Sequence, residues 1–326
     1  MTEILILGEQ ANGDLNSLSK ELLAAADSIS DNISIAFLGN DNRSVAEDAI
    51  RNGASKVYLL QSELLNDWSV DARVSAYEHL LGKISPSVIL LGKTQIGQDV
   101  GPRLACRLGV GLSQDSISIA LDPKTMRPVA TRPVLGGRMI AKVRFTEDGP
   151  NIIVIRKGSY DINKPNDNNE GDIQEITFHA EQSDKNIHHI QTILSDLGGV
   201  KLENAPVIVA GGRGLGGPEP FEMLSDLAKL LGGSVGASRA ACDAGWIDHN
   251  YQIGLTGKNV SPALYITVGI SGASQHMAGC SGAKFIVAIN KDPEANIFKE
   301  ASLGAVGDWE KILPSFISTV KDLLET

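Results

Sequence analysis

The chain has 326 residues, about twice the roughly 150 of a typical domain, so it carries enough apolar material for two cores. It is 42% hydrophobic with 34 glycines but only 5% aromatic, a balance that suits α/β layers with tight strand-to-helix turns better than sandwiches or bundles. A net charge of -10 argues against a general role on nucleic acid, which needs clustered Lys and Arg, and no apolar run reaches the roughly 18 residues of a membrane span. Cys106, Cys242 and Cys280 lie far apart with no C-x-x-C pair, so each reads as a small core residue in a reducing compartment. Met1-Thr2-Glu3 leads at once into a strand-like run, so neither a signal peptide nor an Arg-rich transit segment is expected, and the expected location is a prokaryotic cytoplasm.

The run Ile4-Leu5-Ile6-Leu7 ends in Gly8, and residues 15–26 carry helical spacing. Apolar runs at 33–38, 56–60 and 87–91 then alternate with helix-like stretches at 45–52, 71–82 and 98–109. That alternation predicts right-handed βαβ crossovers and a parallel sheet. From 116 onward the texture changes: 116–121, 128–134, 139–145 and 151–155 are strand-like with turn residues between them, which predicts antiparallel strands added to the first sheet. The polar stretch 163–172 reads as a solvated loop. Residues 173–197 mix helical spacing with strand-forming types and take no assignment. His188 and His189 have no Cys or carboxylate at ligand spacing and read as surface residues, so no metal site is expected.

Gly198-Gly199 precedes a fresh start, which places a boundary between an N-terminal α/β domain, 1–199, and a C-terminal doubly wound, Rossmann-like domain, 200–326. The strand 207–210 runs into Gly212, Gly214 and Gly217, a G-x-G-x-x-G pattern, and a helix over 218–231 opens with prolines in its first turn. An NAD site also wants an acidic residue at the end of the next strand. Here the strand 234–237 ends at Ser238-Arg239, which disfavours NAD. The loop Gln252-Ile253-Gly254-Leu255-Thr256-Gly257 leads to strand 263–268, which stops at Gly269-Ile270-Ser271-Gly272-Ala273-Ser274-Gln275-His276. Such an ending leaves backbone N–H groups at a helix start where an anion is favoured, and a bound dinucleotide is the economical explanation. A second strand, 284–289, ends at Asn290. After the run 301–306, Asp308 is the natural N-cap of a last helix whose stripe from Trp309 through Leu324 marks a core face. Asp308 also falls on the sheet edge where the other loops converge.

Four side chains stand out chemically. Arg213 projects from a glycine loop, where it could pair with phosphate or form a surface ion pair. Arg239 could lie against an aromatic ring system or pair with Asp243 one turn on. Thr256 could face a ligand heteroatom or serve its turn. His276 could donate to an electron-rich ring or be structural. Ser271 has no His and Asp at recognisable spacing, so a hydrolase triad is not expected.

Five blocks in order, Gly211-Gly212-Arg213-Gly214-Leu215-Gly216, Gly236-Ala237-Ser238-Arg239-Ala240-Ala241, 252–257, 269–279 with Gln275-His276, and Val287-Ala288-Ile289-Asn290-Lys291-Asp292-Pro293-Glu294-Ala295, resemble the FAD-binding half of the electron transfer flavoprotein alpha subunit. The N-terminal half is similar more loosely, through Ile4-Leu5-Ile6-Leu7-Gly8-Glu9 and Thr131-Arg132-Pro133-Val134. The resemblance implies FAD held by the C-terminal domain and a heterodimer whose beta subunit contacts the N-terminal domain. It implies an electron carrier rather than an enzyme. Electrons would come from flavin dehydrogenases of the acyl-CoA dehydrogenase type, as in fatty acid beta-oxidation, and pass to a quinone reductase or other acceptor; bifurcation from NADH occurs in part of the family. Carried over by position, Arg213, Ser238, Ser271, Gly272, Ala273, Gln275, Asn290 and Asp308 would hold the FAD phosphates, ribityl chain and adenosine. Arg239, Thr256 and His276 would surround the isoalloxazine ring, and Gln252, Ile253, Gly254, Leu255, Ser274 and Trp309 complete the expected binding set. Leu255 stands where the family commonly has Gln, and Ser274 where an aliphatic is usual. The competing readings are an NAD-dependent oxidoreductase using the Gly212 loop and a non-redox adenine-nucleotide binding module.

Overall fold

The computed structural model describes residues 3–11, 13–39, 42–62, 65, 69–135, 137, 139–146, 149–179, 190–191 and 200–324. The chain divides into two compact units, essentially Met1 to Leu194 and Ser195 to Thr326. The boundary expected at Gly198-Gly199, together with His188 and His189, lies outside the described residues.

The first unit begins with β1 (Ile4–Leu7), the two-residue pair β2 (Gln10–Ala11) and β3 (Asp14–Leu15), and α1 (Ser17–Asp27). β4 (Ile33–Leu38), α2 (Arg43–Arg51), β5 (Lys56–Gln61), α3 (Val70–Leu81), β6 (Val88–Gly92) and α4 (Gln95–Leu108) follow in strict alternation. β7 (Leu112–Ser116), β8 (Ser118–Leu121), β9 (Pro128–Val134), β10 (Met139–Arg144), β11 (Asn151–Ile155) and β12 (Asp172–Thr177) complete it. Among the described residues a seven-stranded sheet runs β12-β5-β4-β1-β6-β11-β7. Every pairing in it is parallel. Strands inside such a sheet are covered on both faces, so β1 is apolar and buried at all four positions instead of alternating.

The antiparallel strands expected after 116 are present, but β8, β9 and β10 form a separate three-stranded sheet. β11 does not belong to it. Its run Asn-Ile-Ile-Val-Ile is buried throughout and pairs in parallel with β6, Ile152 opposite Ile89, because only the interior of the main sheet covers both of its faces. β12, in the unassigned stretch, is an edge strand beside β5 with Ile173 opposite Val57. Cys106 is exposed on the outer side of α4, against the expectation of a core thiol, while Cys242 and Cys280 are buried as expected.

In the second unit β13 (Val207–Gly211), α5 (Pro220–Leu230), β14 (Ser234–Ala237) and α6 (Arg239–Asp243) precede β15 (Leu264–Val268) and α7 (Ser274–Cys280). β16 (Phe285–Asn290), α8 (Ile297–Glu300), β17 (Leu303–Val306) and α9 (Trp309–Leu324) close the chain. The sheet order is β14-β13-β15-β16-β17, parallel throughout among the described residues. Successive β13 side chains enter opposite cores. Ile208 and Ala210 pack with Cys280 of α7 and Ile297 of α8, whereas Val209 packs with Leu224 of α5, Ala241 of α6 and Leu313 of α9. Helices on both faces make this unit doubly wound. The Asp308 carboxylate accepts from the Glu310 N–H at 3.2 Å and caps α9. The apolar stripe of α9 packs from Trp309 to Val320, but Leu323 is left 72% exposed.

A candidate functional site at the carboxyl edge of the second sheet

β13 is flanked by β14 on one side and β15 on the other, so the connections leaving its end and that of β15 part at a topological switch point. Glycine lets them do so in contact. The Gly212 N–H donates to the Val268 carbonyl at 2.9 Å and the Gly214 N–H to the Gly269 carbonyl at 3.0 Å. A Cβ on Gly212 would stand 2.2 Å from the Gly269 carbonyl oxygen, and Gly269 itself has φ +65°. The G-x-G-x-x-G pattern is therefore a loop-packing device here: β13 runs into a tight turn at Arg213–Leu215, and α5 starts only at Pro220.

Beyond these loops opens a hollow of about 690 Å³, within the range of cofactor sites. Arg213 comes from the β13 end, Ser238 and Arg239 from the β14 end, and Asn290 from the β16 end. The 252–256 loop supplies Gln252, Ile253, Gly254, Leu255 and Thr256. The β15–α7 connection supplies Ser271, Ala273, Gln275 and His276. The structure thus brings thirteen of the sequence-selected residues to one cavity. Gly272, Ser274, Asp308 and Trp309 do not line it. Gly272, at φ +76°, backs onto the main chain of Ile297, 2.2 Å from where its Cβ would be. The Ser274 hydroxyl reaches the Gln275 amide oxygen at 3.4 Å, Asp308 caps α9, and Trp309 packs, half-buried, against the core. Asp243, Ile270, Asp292 and Ala295 also line the cavity, though their types alone gave no reason to select them.

The 252–256 loop is held rigidly. The Ile253 N–H donates to the Ala237 carbonyl at 2.9 Å, and the Leu255 N–H donates to the Gln275 carbonyl at 2.7 Å. Gly254 has φ +146° and presses against α7, where a Cβ on Gly279 would lie 2.3 Å from the Gly254 nitrogen. Gln252, only 5% exposed, donates from Nε2 to Thr256 Oγ1 at 3.0 Å, while its Oε1 faces His249 Nδ1 at 3.1 Å. With its oxygen accepting from Gln252, Thr256 keeps its own hydroxyl hydrogen to donate. Asn290 ties the neighbouring loop down, its Nδ2 donating to the Ile270 carbonyl at 2.9 Å.

Charge enters from the two arginines. Arg239 Nε lies 3.2 Å from Asp243 Oδ2, so the ion pair considered as its alternative role is formed. Both groups are exposed, and a pair of this kind one turn apart is weak enough for a ligand to displace. Arg213 is exposed and has no ion-pair partner among the described residues.

His276 is 7% exposed, and its Nε2 lies 2.8 Å from the Tyr265 hydroxyl. Burial brings its pKa down to about 4, with the Ile253 main chain opposing, so the imidazole is neutral at pH 7. Its Nδ1 is buried without a partner, and so is Ser238 Oγ. Among the described residues of the second unit these are the buried side-chain polar atoms left unsatisfied, and both belong to residues lining the hollow. Folded proteins rarely leave such atoms unpaired unless something else supplies the partner. Tyr265 escaped the sequence reading because it sits inside an ordinary apolar run. The only available signal was that a buried phenol needs a partner, and the sequence does not say which.

Residues 4–181 match the family model described as the electron transfer flavoprotein domain, and residues 201–281 match the electron transfer flavoprotein FAD-binding domain. The chain is 38% identical over 325 residues to electron transfer flavoprotein subunit alpha of Thermoanaerobacterium thermosaccharolyticum, with 98% of each chain covered. It is 37% identical over 326 residues to the protein of that name from Clostridium acetobutylicum, covering 98% of this chain and 96% of the other. It is also 37% identical over 329 residues to the Bacillus subtilis protein of that name, covering 98% of each. The chain belongs to the electron transfer flavoprotein alpha-subunit family, electron carriers rather than enzymes, and its second unit contains that family's FAD-binding domain.

Proposed function

We propose that the hollow of the second unit holds FAD and that the chain works as the alpha half of a two-subunit electron carrier. The observation that carries this reading is the convergence around one cavity of His276 and Ser238, each with an unsatisfied buried polar atom, and of Arg213 and Arg239. The donor set fits FAD, which brings an anionic pyrophosphate at one end and an acceptor-edged ring at the other. When bound, FAD supplies the redox centre, taking up and releasing electrons.

The chain's own residues divide the work. Arg213, Ser238, Ser271, Ala273, Gln275 and Asn290 hold the phosphates, ribityl chain and adenosine. Arg239, Thr256 and His276 face the ring, within the wall formed by Gln252, Ile253, Gly254 and Leu255. His276 is a neutral donor and Arg239 a cation; both offset negative charge that reduction places on the ring, and His276 is fixed beforehand by the fold. Gly272, Ser274, Asp308 and Trp309 stand outside the cavity and receive no contact in this assignment.

The relatives are named as alpha subunits, which supports assembly with a beta subunit. The resemblance supports dehydrogenase donors and a quinone reductase or other acceptor. An NAD-dependent oxidoreductase is less well supported, because β14 ends at Ala237 and is followed by Ser238 and Arg239 where an acidic ribose partner would stand. Co-expression with the beta subunit tests the proposal: a yellow complex that yields FAD on extraction is expected. A folded complex with neither chromophore nor FAD would overturn it.

A further inference from the structure

Tyr265 lies on β15 under α7, fully buried, with its hydroxyl 2.8 Å from His276 Nε2 and the two rings nearly parallel, 28° apart. Burial keeps the phenol protonated, with a pKa pushed well above its ordinary value. A buried hydroxyl hydrogen needs an acceptor, and the ring nitrogen is the strong one within reach. The neighbouring Cys280 thiol is a weak acceptor and itself donates to the His276 carbonyl at 3.6 Å. A neutral imidazole whose Nε2 accepts must carry its proton on Nδ1. The opposite tautomer would strand the phenolic hydrogen in the core.

We propose that Tyr265 is a positioning residue: by donating to His276 Nε2 it fixes the Nδ1–H tautomer, so that His276 presents an N–H donor to whatever acceptor occupies the hollow. That the acceptor belongs to FAD rests on the function proposed above; the tautomer does not. Tyr265 does not line the hollow, so it acts only through His276.

The test is nitrogen-15 NMR of histidine-labelled protein, purified as the complex or as the chain alone, near neutral pH. The chain has 6 histidines, and the spectrum of His276→Gln identifies the relevant signal. A single tautomer is expected, with Nδ1 protonated and Nε2 unprotonated. In Tyr265→Phe that single form should be lost, giving either a mixture or the Nε2–H form, and in a flavin-loaded complex the midpoint potential should fall. A protonated Nε2 in the unaltered protein overturns the proposal, as does an unchanged Nδ1–H form in Tyr265→Phe. If Tyr265→Phe does not fold, the tautomer in the unaltered protein still decides. Absence of FAD would sink the proposed function while leaving this measurement readable.

Discussion

The Thr94 hydroxyl donates to the Glu9 carboxylate at 2.6 Å, joining the segments that follow β6 and β1. Those strands are neighbours in the first sheet, with β4 on the far side of β1, so the bond sits at that sheet's own switch point. The equivalent crevice in the second sheet is bordered by Gly212, Gly214 and Gly269 and opens into the hollow. One unit thus presents a partly buried acid where the other presents glycine and donors, and only the second suits an anionic cofactor.

Burial raises the Glu9 pKa, with the Thr94 bond and the Arg73 charge opposing. The folded state therefore binds the proton more tightly than the unfolded one. The resulting stabilisation is present below the ordinary value of 4.5 and is lost as pH rises through the folded pKa. Glu9→Gln should be more stable than the unaltered chain at pH 7, with the gain shrinking toward pH 4, and should keep its full FAD content. Denaturant melts at several pH values, with flavin quantified alongside, check both parts.

His276 has the opposite sign. Its pKa falls from 6.5 unfolded to about 4 folded, so the unfolded chain takes up a proton first as the solution is acidified. Stability from keeping His276 neutral is complete above about pH 6.5 and drains away as pH drops toward about 4, a loss on the order of 3 kcal/mol. In FAD-free protein, the difference between unfolding free energies of the unaltered chain and His276→Gln should change across that window and be flat above it. A flat difference throughout would mean that the imidazole is not buried neutral.

Gly212→Ala should fail sterically. Its Cβ would fall 2.2 Å from the Gly269 carbonyl oxygen, which is main chain and has little room to yield. A cost of about 1–3 kcal/mol is expected from overpacking, with loss of FAD because the two loops that wall the hollow are forced apart. Equilibrium unfolding and flavin stoichiometry measure the two effects separately.

Leu255→Gln should leave stability within about 0.5 kcal/mol, since Leu255 is exposed, at 63%. It places an amide donor on the wall of the hollow and should raise the flavin midpoint potential by stabilising added negative charge. A spectroelectrochemical titration of both proteins compares the potentials.

Most of the architecture is written in local patterns. The apolar runs that became β1, β4, β5 and β6 alternate with helical spacing, and that alternation implies parallel pairing without knowledge of any contact. β11 was harder, because a strand reached after β8, β9 and β10 looks like their continuation; its place between β6 and β7 is a long-range fact that local pattern does not encode. The site was legible where glycine punctuates a strand end, as at Gly269, or a loop, as at Gly254. It was illegible where a role depends on a partner distant in sequence. Tyr265 and His276 are 11 residues apart on different elements, and nothing in the strand pattern joins them. Asp308 and Trp309 were legible in their structural roles, one as the cap of α9 and the other as the start of its apolar stripe against the core.

The central claim is that FAD lies in the second unit with its ring against His276. The most direct measurement is a crystal structure of the purified complex of this chain with its beta subunit. The expected result is FAD filling the hollow, with its ring beside Arg239 and Thr256 and accepting a hydrogen bond from His276 Nδ1. A flavin bound elsewhere, with His276 Nδ1 and Ser238 Oγ meeting only solvent or protein, would contradict the account.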